Sequence, residues 1–379
     1  MHKSILVFID WFDPGYKAGG PIRSAVNFAR HLQHHYNVYV FTGDRDLGSA
    51  VPYDNIKTDV WTSYDEQVKV MYCSPANLRW KYIRDIIQDV NPDHIYLNSL
   101  FSKYFTIYPL LINRSGGWKS NMVLAPRGML RNSALQYKTA KKKLFLRLFR
   151  WLFVHRHISF QATDDTEFND VKKNFGESAR VLQIPNFPAY VQGYPGSLSK
   201  RPGELSIIFV GRLHPIKNLY FLLTCLKGLK GKVLLTVIGS EEDKAYVDQC
   251  RSLSVSLPEN ITVKFEGEKP NHELPAIIAQ HHVFGLPTQG ENFGHAIFEG
   301  LSAGKPVLIS DQTPWRGMVS VKAGWDISLA DNTGFVKALQ EALDMEQKQY
   351  DEWSMGAWQY AHQFSAGTDA LSKYTTLFQ

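Results

Sequence analysis

Apolar residues fall in short dense runs, separated by stretches whose apolar positions recur every three or four residues. A run of four to seven apolar residues suits a strand buried on both faces of a parallel sheet, and the wider period suits a helix laid against it. Strands are therefore predicted at 5–9, 38–42, 68–73, 94–98, 122–125, 158–162 and 181–184, then at 205–210, 233–238, 261–265, 283–286 and 307–309. Helices are predicted at 21–34, 76–90, 137–157, 164–175, 218–229, 241–253, 272–280 and 295–303. A helical tail runs from Asn332, its last member over 366–378. This alternation predicts an α/β fold of doubly wound parallel sheets.

Periodicity disappears across 185–203, the stretch richest in Pro, Gly and Ser, and this marks a domain boundary. Two domains are expected, 1–188 and 204–359, because 379 residues are many for one core. A composition 44% hydrophobic and 21% charged, without low-complexity tracts, makes both globular. Cys73, Cys225 and Cys250 have no metal-ligand spacing and would leave one unpaired, which fits a reducing cytosol. The apolar run in the first ten residues is too short for a signal-peptide core, and no stretch reaches membrane-spanning length. The net charge of +6 is mild, so its placement matters more than its total.

Candidate chemistry lies in loops that leave strands at their carboxyl ends, where open α/β sheets bind ligands. In Pro287-Thr-Gln-Gly-Glu-Asn-Phe-Gly294, Pro, Gly and Asn forbid regular structure, and a helix then begins at His295 and ends by Gly304. Glu291 thus lies in the loop and Glu299 on the helix, whose unpaired first N–H groups suit an anion. Gly19 and Gly20 precede another helix start after the first strand, where a phosphate could approach the backbone or a plain turn could sit. That loop lacks the G-x-G-x-x-G spacing of dinucleotide binders. Arg212 and Lys217, in Gly211-Arg-Leu-His-Pro-Ile-Lys-Asn218, would close on one anion as a guanidinium fork and a compact ammonium, or else form a solvated basic loop. Gly239, Gly267 and Gly290 follow strands and set permissive backbones along one edge. Arg127, in Pro126-Arg-Gly-Met-Leu130, either faces a ligand or caps a structural carboxylate. Asp44-Arg-Asp46 has the form of a metal-binding D-x-D, yet two carboxylates alone make a poor magnesium site, so it reads as a charged loop.

The segment 137–157 interleaves Lys138, Lys141, Lys142, Lys143, Arg147, Arg150, His155 and Arg156 with Leu144, Phe145, Leu146, Leu148, Phe149, Trp151, Leu152 and Phe153. Lys141, Lys142, Lys143, Arg147, Arg150 and Trp151 are the expected contacts with an anionic membrane surface. Nucleic acid ranks below the membrane because no aromatic strand platform or DNA-reading motif accompanies the basic residues. The alternative is a buried helix with a solvated basic end.

Taken in order, Gly19-Gly20, Pro126-Arg-Gly-Met-Leu130, Ile184-Pro-Asn186, Gly211-Arg212, Lys217, the E-x7-E pair Glu291/Glu299 and Ser310-Asp-Gln-Thr-Pro-Trp315 span nearly the whole chain. In this arrangement the chain resembles the retaining family 4 glycosyltransferases of GT-B type, particularly bacterial members that build lipopolysaccharide O-antigen or capsule. The resemblance implies two Rossmann-like domains facing across a cleft, with a C-terminal segment, about 360–379, returning to the first domain. It implies a nucleotide-sugar donor whose diphosphate is held by Arg212, Lys217 and the backbone at Gly19 and Gly20. Glu291 would touch the sugar hydroxyls, the backbone of Asn292, Phe293 and Gly294 would hold the sugar, and Glu299 would bind the ribose. Gly267 would lie near the base, and His295 would contact phosphate or pack at the helix start. Glu291, Arg212 and Lys217 are the expected catalytic set.

By the same resemblance no metal or other cofactor is expected. The donor is expected to be a UDP-sugar, with GDP-mannose next, and the acceptor a polyprenyl-diphosphate-linked glycan at the inner face of the cytoplasmic membrane. Nucleic acid is not an expected partner. Many family members carry a histidine in the loop after the fifth strand, whereas this chain has Pro126-Arg127-Gly128, so Arg127 is proposed only as a cleft or acceptor residue. Two other readings share these features: a sugar-nucleotide epimerase of the same fold, and a non-catalytic membrane or polyanion binder.

Overall fold

The computed structural model describes residues 2–116, 120–131, 139–151, 157–367 and 369–379. The chain divides into two compact units, Met1–Phe187 with Asp369–Gln379, and Pro188–Thr368. The boundary stretch 185–203 is divided, 185–187 counting with the first unit and 188–203 with the second, and the segment that returns to the first unit begins at Asp369.

The first unit is built on an eight-stranded sheet in the order β3-β4-β2-β1-β5-β6-β7-β8. Its strands are β1 (Ser4–Phe8), β2 (Asn37–Gly43), β3 (Trp61–Asp65), β4 (Val68–Cys73), β5 (His94–Leu97), β6 (Asn121–Leu124), β7 (Ser159–Ala162) and β8 (Arg180–Gln183). All pairings are parallel except β3 with β4. The pleat divides β1 between two cores: Leu6 and Phe8 join one, and Ile5, Val7 and Ile9 the other. Helices α1 (Gly20–Leu32) and α12 (Ala370–Leu377) help close the second core, through Phe28, Leu32, Tyr374 and Leu377. Helices α2 (Trp80–Val90), α3 (Tyr108–Ser115), α4 (Thr139–Trp151) and α5 (Asp165–Phe175) complete the unit. Helix α5 opens on a side-chain cap: Asp164 accepts from the Glu167 amide at 2.8 Å, and Glu167 reaches back one residue further, to the amide and hydroxyl of Thr163.

The second unit carries a wholly parallel six-stranded sheet in the order β11-β10-β9-β12-β13-β14. Its strands are β9 (Glu204–Val210), β10 (Lys232–Ile238), β11 (Ile261–Phe265), β12 (Val283–Leu286), β13 (Val307–Ser310) and β14 (Gly324–Ile327). Around them lie α6 (Leu219–Leu226), α7 (Lys244–Val255), α8 (Leu274–Ala279), α9 (His295–Ser302), α10 (Asn332–Asp344) and α11 (Gln347–Gly367). One continuous core joins the sheet to these helices.

Several expectations shift. Helix α2 starts at Trp80 rather than at 76, because the amides of Asn77 and Leu78 turn back onto the Ser74 carbonyl. The last helix, expected over 366–378, spans Ala370–Leu377, and Ala366 and Gly367 end the helix before it. A π-helical turn, Lys103–Ile107, leads into α3 and was not predicted. No helix among the described residues is long and apolar enough to cross a membrane.

Candidate functional site

In the second unit the carboxyl ends of β11, β10 and β9 are bound edge to edge. The Gly239 amide donates to the Gly267 carbonyl at 2.9 Å, and the Gly211 amide to that of Ile238 at 2.9 Å. Gly239 has φ 156°, and a Cβ there would stand 1.8 Å from the Gly211 carbonyl oxygen, so only glycine lets the two loops touch. After β9 the chain makes a short 3-10 turn, Pro215–Lys217, opened by His214, whose Nδ1 accepts from the Ile216 amide at 3.2 Å. Asn218 then takes a left-handed conformation, φ 60°, before α6 begins. The Lys217 stem runs beside Gly211, its Cγ 3.6 Å from where a Cβ would sit.

The loop after β12 is fastened to that turn. The Gln289 amide and the Thr288 hydroxyl donate to the Ile216 carbonyl at 2.7 and 3.0 Å, and the buried Ser310 hydroxyl donates to the Thr288 carbonyl. The Glu291 amide bonds the Gln312 carbonyl at 3.2 Å. These ties hold the Glu291 carboxylate against the Lys217 ammonium, in an ion pair whose side chains are 13% and 18% exposed. Further along, Phe293 is buried and its carbonyl accepts from Trp315 Nε1 at 2.5 Å. Gly294 caps α9 in the left-handed region, φ 77°, without a side-chain cap bond, so the first helical amides end the helix as backbone donors. The His295 ring packs 4.6 Å from that of Phe293, and Glu299 lies half-buried one turn on.

The structure thus brings Lys217 and Glu291 into direct contact. Arg212 differs: its Nη1 donates to Glu242 Oε2 at 2.5 Å, with both side chains nearly half exposed. Each cation expected on a shared anion is held by its own carboxylate. Sequence reasoning did not single out Glu242, although Glu241-Glu242 just beyond β10 is an acidic pair at a strand end. Nor did it find Thr288, whose hydroxyl fastens the two loops together.

In the first unit α1 begins at Gly20, and Gly19 caps it with φ 66°. A Cβ at Gly19 would meet nothing within 4 Å, so backbone conformation rather than crowding is what calls for glycine. Asp46 shapes this loop: its carboxylate accepts from the amides of Tyr16, Lys17 and Leu47 at 2.8, 3.2 and 2.8 Å. Asp44 pairs with its neighbour Arg45. The D-x-D is therefore occupied in holding loops, and no group of three or more His, Cys, Asp or Glu among the described residues could hold a metal ion.

Arg127, with φ 54°, directs its guanidinium inward rather than leaving it as an open cation. Nε donates to Asn98 Oδ1 at 2.5 Å, Nη2 to the Tyr96 hydroxyl at 2.7 Å, and Nη1 to Asn186 Oδ1. Gln161 continues the network, donating to the Ile184 carbonyl at 2.8 Å and the Tyr374 hydroxyl at 2.7 Å. These partners are scattered from 96 to 374, so no local spacing announced them.

Helix α4 is two-faced. Leu146 and Phe149 are buried, with the Phe149 ring 5.3 Å from Phe175 and the Phe145 ring 5.3 Å from Phe101. Leu144, Leu148 and Trp151, at helical spacing on another face, are 58%, 48% and 72% exposed. Arg147 and Arg150 are exposed beside them, and Lys142 lies over the Phe101 ring. The side chains of Lys141 and Lys143, and residues Lys138, His155 and Arg156, lie outside the described residues.

Residues 194–357, most of the second unit, match the family described as Glycosyl transferases group 1. A comparison with curated proteins finds no match. Among solved structures, the chain is similar to Anabaena HepE in complex with UDP-glucose, with 16% identity, 99% of each chain covered and a TM-score of 0.66. It is similar to sucrose-phosphate synthase from Thermosynechococcus elongatus, with 13% identity over 100% of this chain and 99% of that one, at a TM-score of 0.68. WaaG, a glycosyltransferase involved in lipopolysaccharide biosynthesis, matches at 14% identity over 98% of each chain, with a TM-score of 0.63. The fold is GT-B.

Proposed function

We propose that this GT-B protein is a retaining glycosyltransferase that takes a sugar from a nucleoside-diphosphate donor and delivers it to a lipid-linked saccharide. The observation carrying the proposal is the Lys217–Glu291 pair, held by the bonds of Thr288 and Gln289 to Ile216 beside the first turn of α9. The match of residues 194–357 to the group 1 glycosyltransferases supports it from the sequence side. Breaking an anomeric carbon–oxygen bond leaves negative charge on the diphosphate and oxocarbenium character on the sugar. Fixed cations and helix N-termini placed where the negative charge develops lower that barrier. Lys217 and Arg212 supply such charge on this edge without a metal, and the α9 amides add donors. Glu291, in the loop, orients sugar hydroxyls while setting the position of Lys217. Glu299, on α9, takes the ribose, and Gly267 gives the base a side-chain-free edge. Gly19 and Gly20 offer backbone to phosphate at the start of α1.

A UDP-sugar is the preferred donor, because the similar HepE structure holds UDP-glucose. A role in surface polysaccharide synthesis is supported by the likeness to WaaG. The exposed stripe Leu144, Leu148 and Trp151 beside Arg147 and Arg150 supports attachment to an anionic membrane face. Calorimetric titration with UDP, UDP-glucose, GDP and GDP-mannose tests the donor assignment, and saturable binding of a UDP compound is expected. Absence of binding by all four would overturn it. Sugar products formed without any added acceptor would favour the epimerase instead.

A further inference from the structure

The chain leaves the first unit after Phe187 and returns to it at Asp369. Both ends run into one polar network, on the face of the sheet where Tyr96, Ile184, Phe187 and Tyr374 share a core. Arg127 Nη1 donates to Asn186 Oδ1, one residue before the chain leaves, and Nη2 donates to the Tyr96 hydroxyl at 2.7 Å. The Tyr96 hydroxyl donates in turn to the buried Gln161 at Oε1. Gln161 Nε2 then reaches both ends, donating to the Ile184 carbonyl at 2.8 Å and to the Tyr374 hydroxyl of α12 at 2.7 Å. The Phe187 ring lies stacked on that of Tyr374, 4.6 Å between centroids.

Two features of Arg127 go beyond what packing asks for. Its three acceptors are neutral oxygens, because the nearby Glu167 carboxylate is taken by the amides of Gly128 and Thr163 and by the Thr163 hydroxyl. A shielded cation of this kind adds little to stability, and an apolar side chain of like volume would serve as well. Its backbone stands at φ 54°, which side chains other than glycine rarely adopt and keep only where the surroundings fix them.

We propose that Arg127 is a latch that fastens both chain crossings to the first unit, holding Asn186 directly and α12 through Tyr96 and Gln161. A guanidinium suits the task because its planar fork meets acceptors on separate segments at fixed angles, which an ammonium does not. The latch confines flexing of the crossings to residues beyond Phe187 and before Asp369. The inference goes beyond the glycosyl-transfer reading and does not depend on it.

Amide hydrogen exchange of the full chain, read by mass spectrometry, tests this in three variants. Arg127→Met keeps a long side chain but removes the fork. Exchange should then quicken at least about tenfold at the Ile184 amide, which bonds the Ala162 carbonyl, and along α12, while β1, β2, β9 and β10 stay within about twofold of the wild type. Asn186→Ala should quicken exchange at Ile184 alone, and Tyr374→Phe along α12 alone. Exchange unchanged at either segment in Arg127→Met, or quickened equally across the whole first unit, would overturn the proposal. Where Arg127→Met fails to fold, the two milder variants decide, and failure of either to quicken its own segment overturns it in the same way.

Discussion

The Lys217 ammonium donates to the Glu291 carboxylate across a gap of more than seventy residues in sequence, and both side chains are largely shielded from water. Neither group can be removed without leaving the other half-buried and unpaired. Glu291→Gln keeps the size and one acceptor oxygen, so it isolates the charge. Transfer is expected to fall about a hundredfold, the usual scale for one group stabilising a transition state. UDP affinity should not fall, because Glu291 is assigned to the sugar and its neutral replacement leaves the Lys217 ammonium to the diphosphate. Steady-state rates set beside calorimetry check this, and a parallel loss of UDP binding would contradict the division of roles.

Arg212 is held by Glu242 in a half-exposed pair. Such pairs contribute at most about 1 kcal/mol. Glu242→Gln should therefore free the guanidinium and tighten UDP binding, by up to about fivefold. The gain should shrink as salt is raised. Weaker UDP binding in the variant would show that Glu242 supports Arg212 rather than competing for it.

His94 lies fully inside the first unit, with neither ring nitrogen hydrogen-bonded among the described residues, and burial lowers its pKa to about 4. Between that value and the ordinary one near 6.5, the unfolded chain binds a proton that the folded chain refuses. Stability is thus fully present above about pH 6.5 and falls by about 1.4 kcal/mol per unit as pH drops towards 4. His94→Leu removes this slope. Denaturant unfolding of the two proteins from pH 7 to pH 4 should give curves that draw together or cross, and parallel curves would refute the assignment.

The stripe on α4 makes a separate prediction about location. Basic residues near an anionic surface contribute about 1 kcal/mol each, so Arg147→Gln with Arg150→Gln should weaken vesicle binding by about thirtyfold. Trp151→Ser should weaken it as well, even on vesicles of lower charge, because its ring is 72% exposed. Vesicle sedimentation with one-third anionic lipid reads both effects, and unchanged partitioning would remove the membrane from the account.

The buried parallel strands were legible because both their faces are covered, which turns sequence into apolar runs such as those of Val283–Leu286 and Val307–Ser310. β3, Trp61–Asp65, escaped notice since it is an antiparallel edge strand with polar residues between aromatics, held by its pairing to β4. β14, Gly324–Ile327, is four residues long and mixes Gly and Asp into its apolar positions. At the candidate site, strand-to-loop position was enough to single out Lys217, Glu291 and Gly294. What joined Arg212 to Glu242, or Arg127 to Asn98, Tyr96 and Asn186, is side-chain reach between distant segments. No period or spacing encodes that reach.

The central claim is that the cations after β9 stabilise a departing nucleoside diphosphate. Its most direct test is sugar transfer from UDP-glucose by Lys217→Ala and Arg212→Ala, in proteins whose circular dichroism and unfolding midpoint match the wild type. Transfer should fall by at least about a hundredfold in each. Full activity in both folded variants would contradict the account.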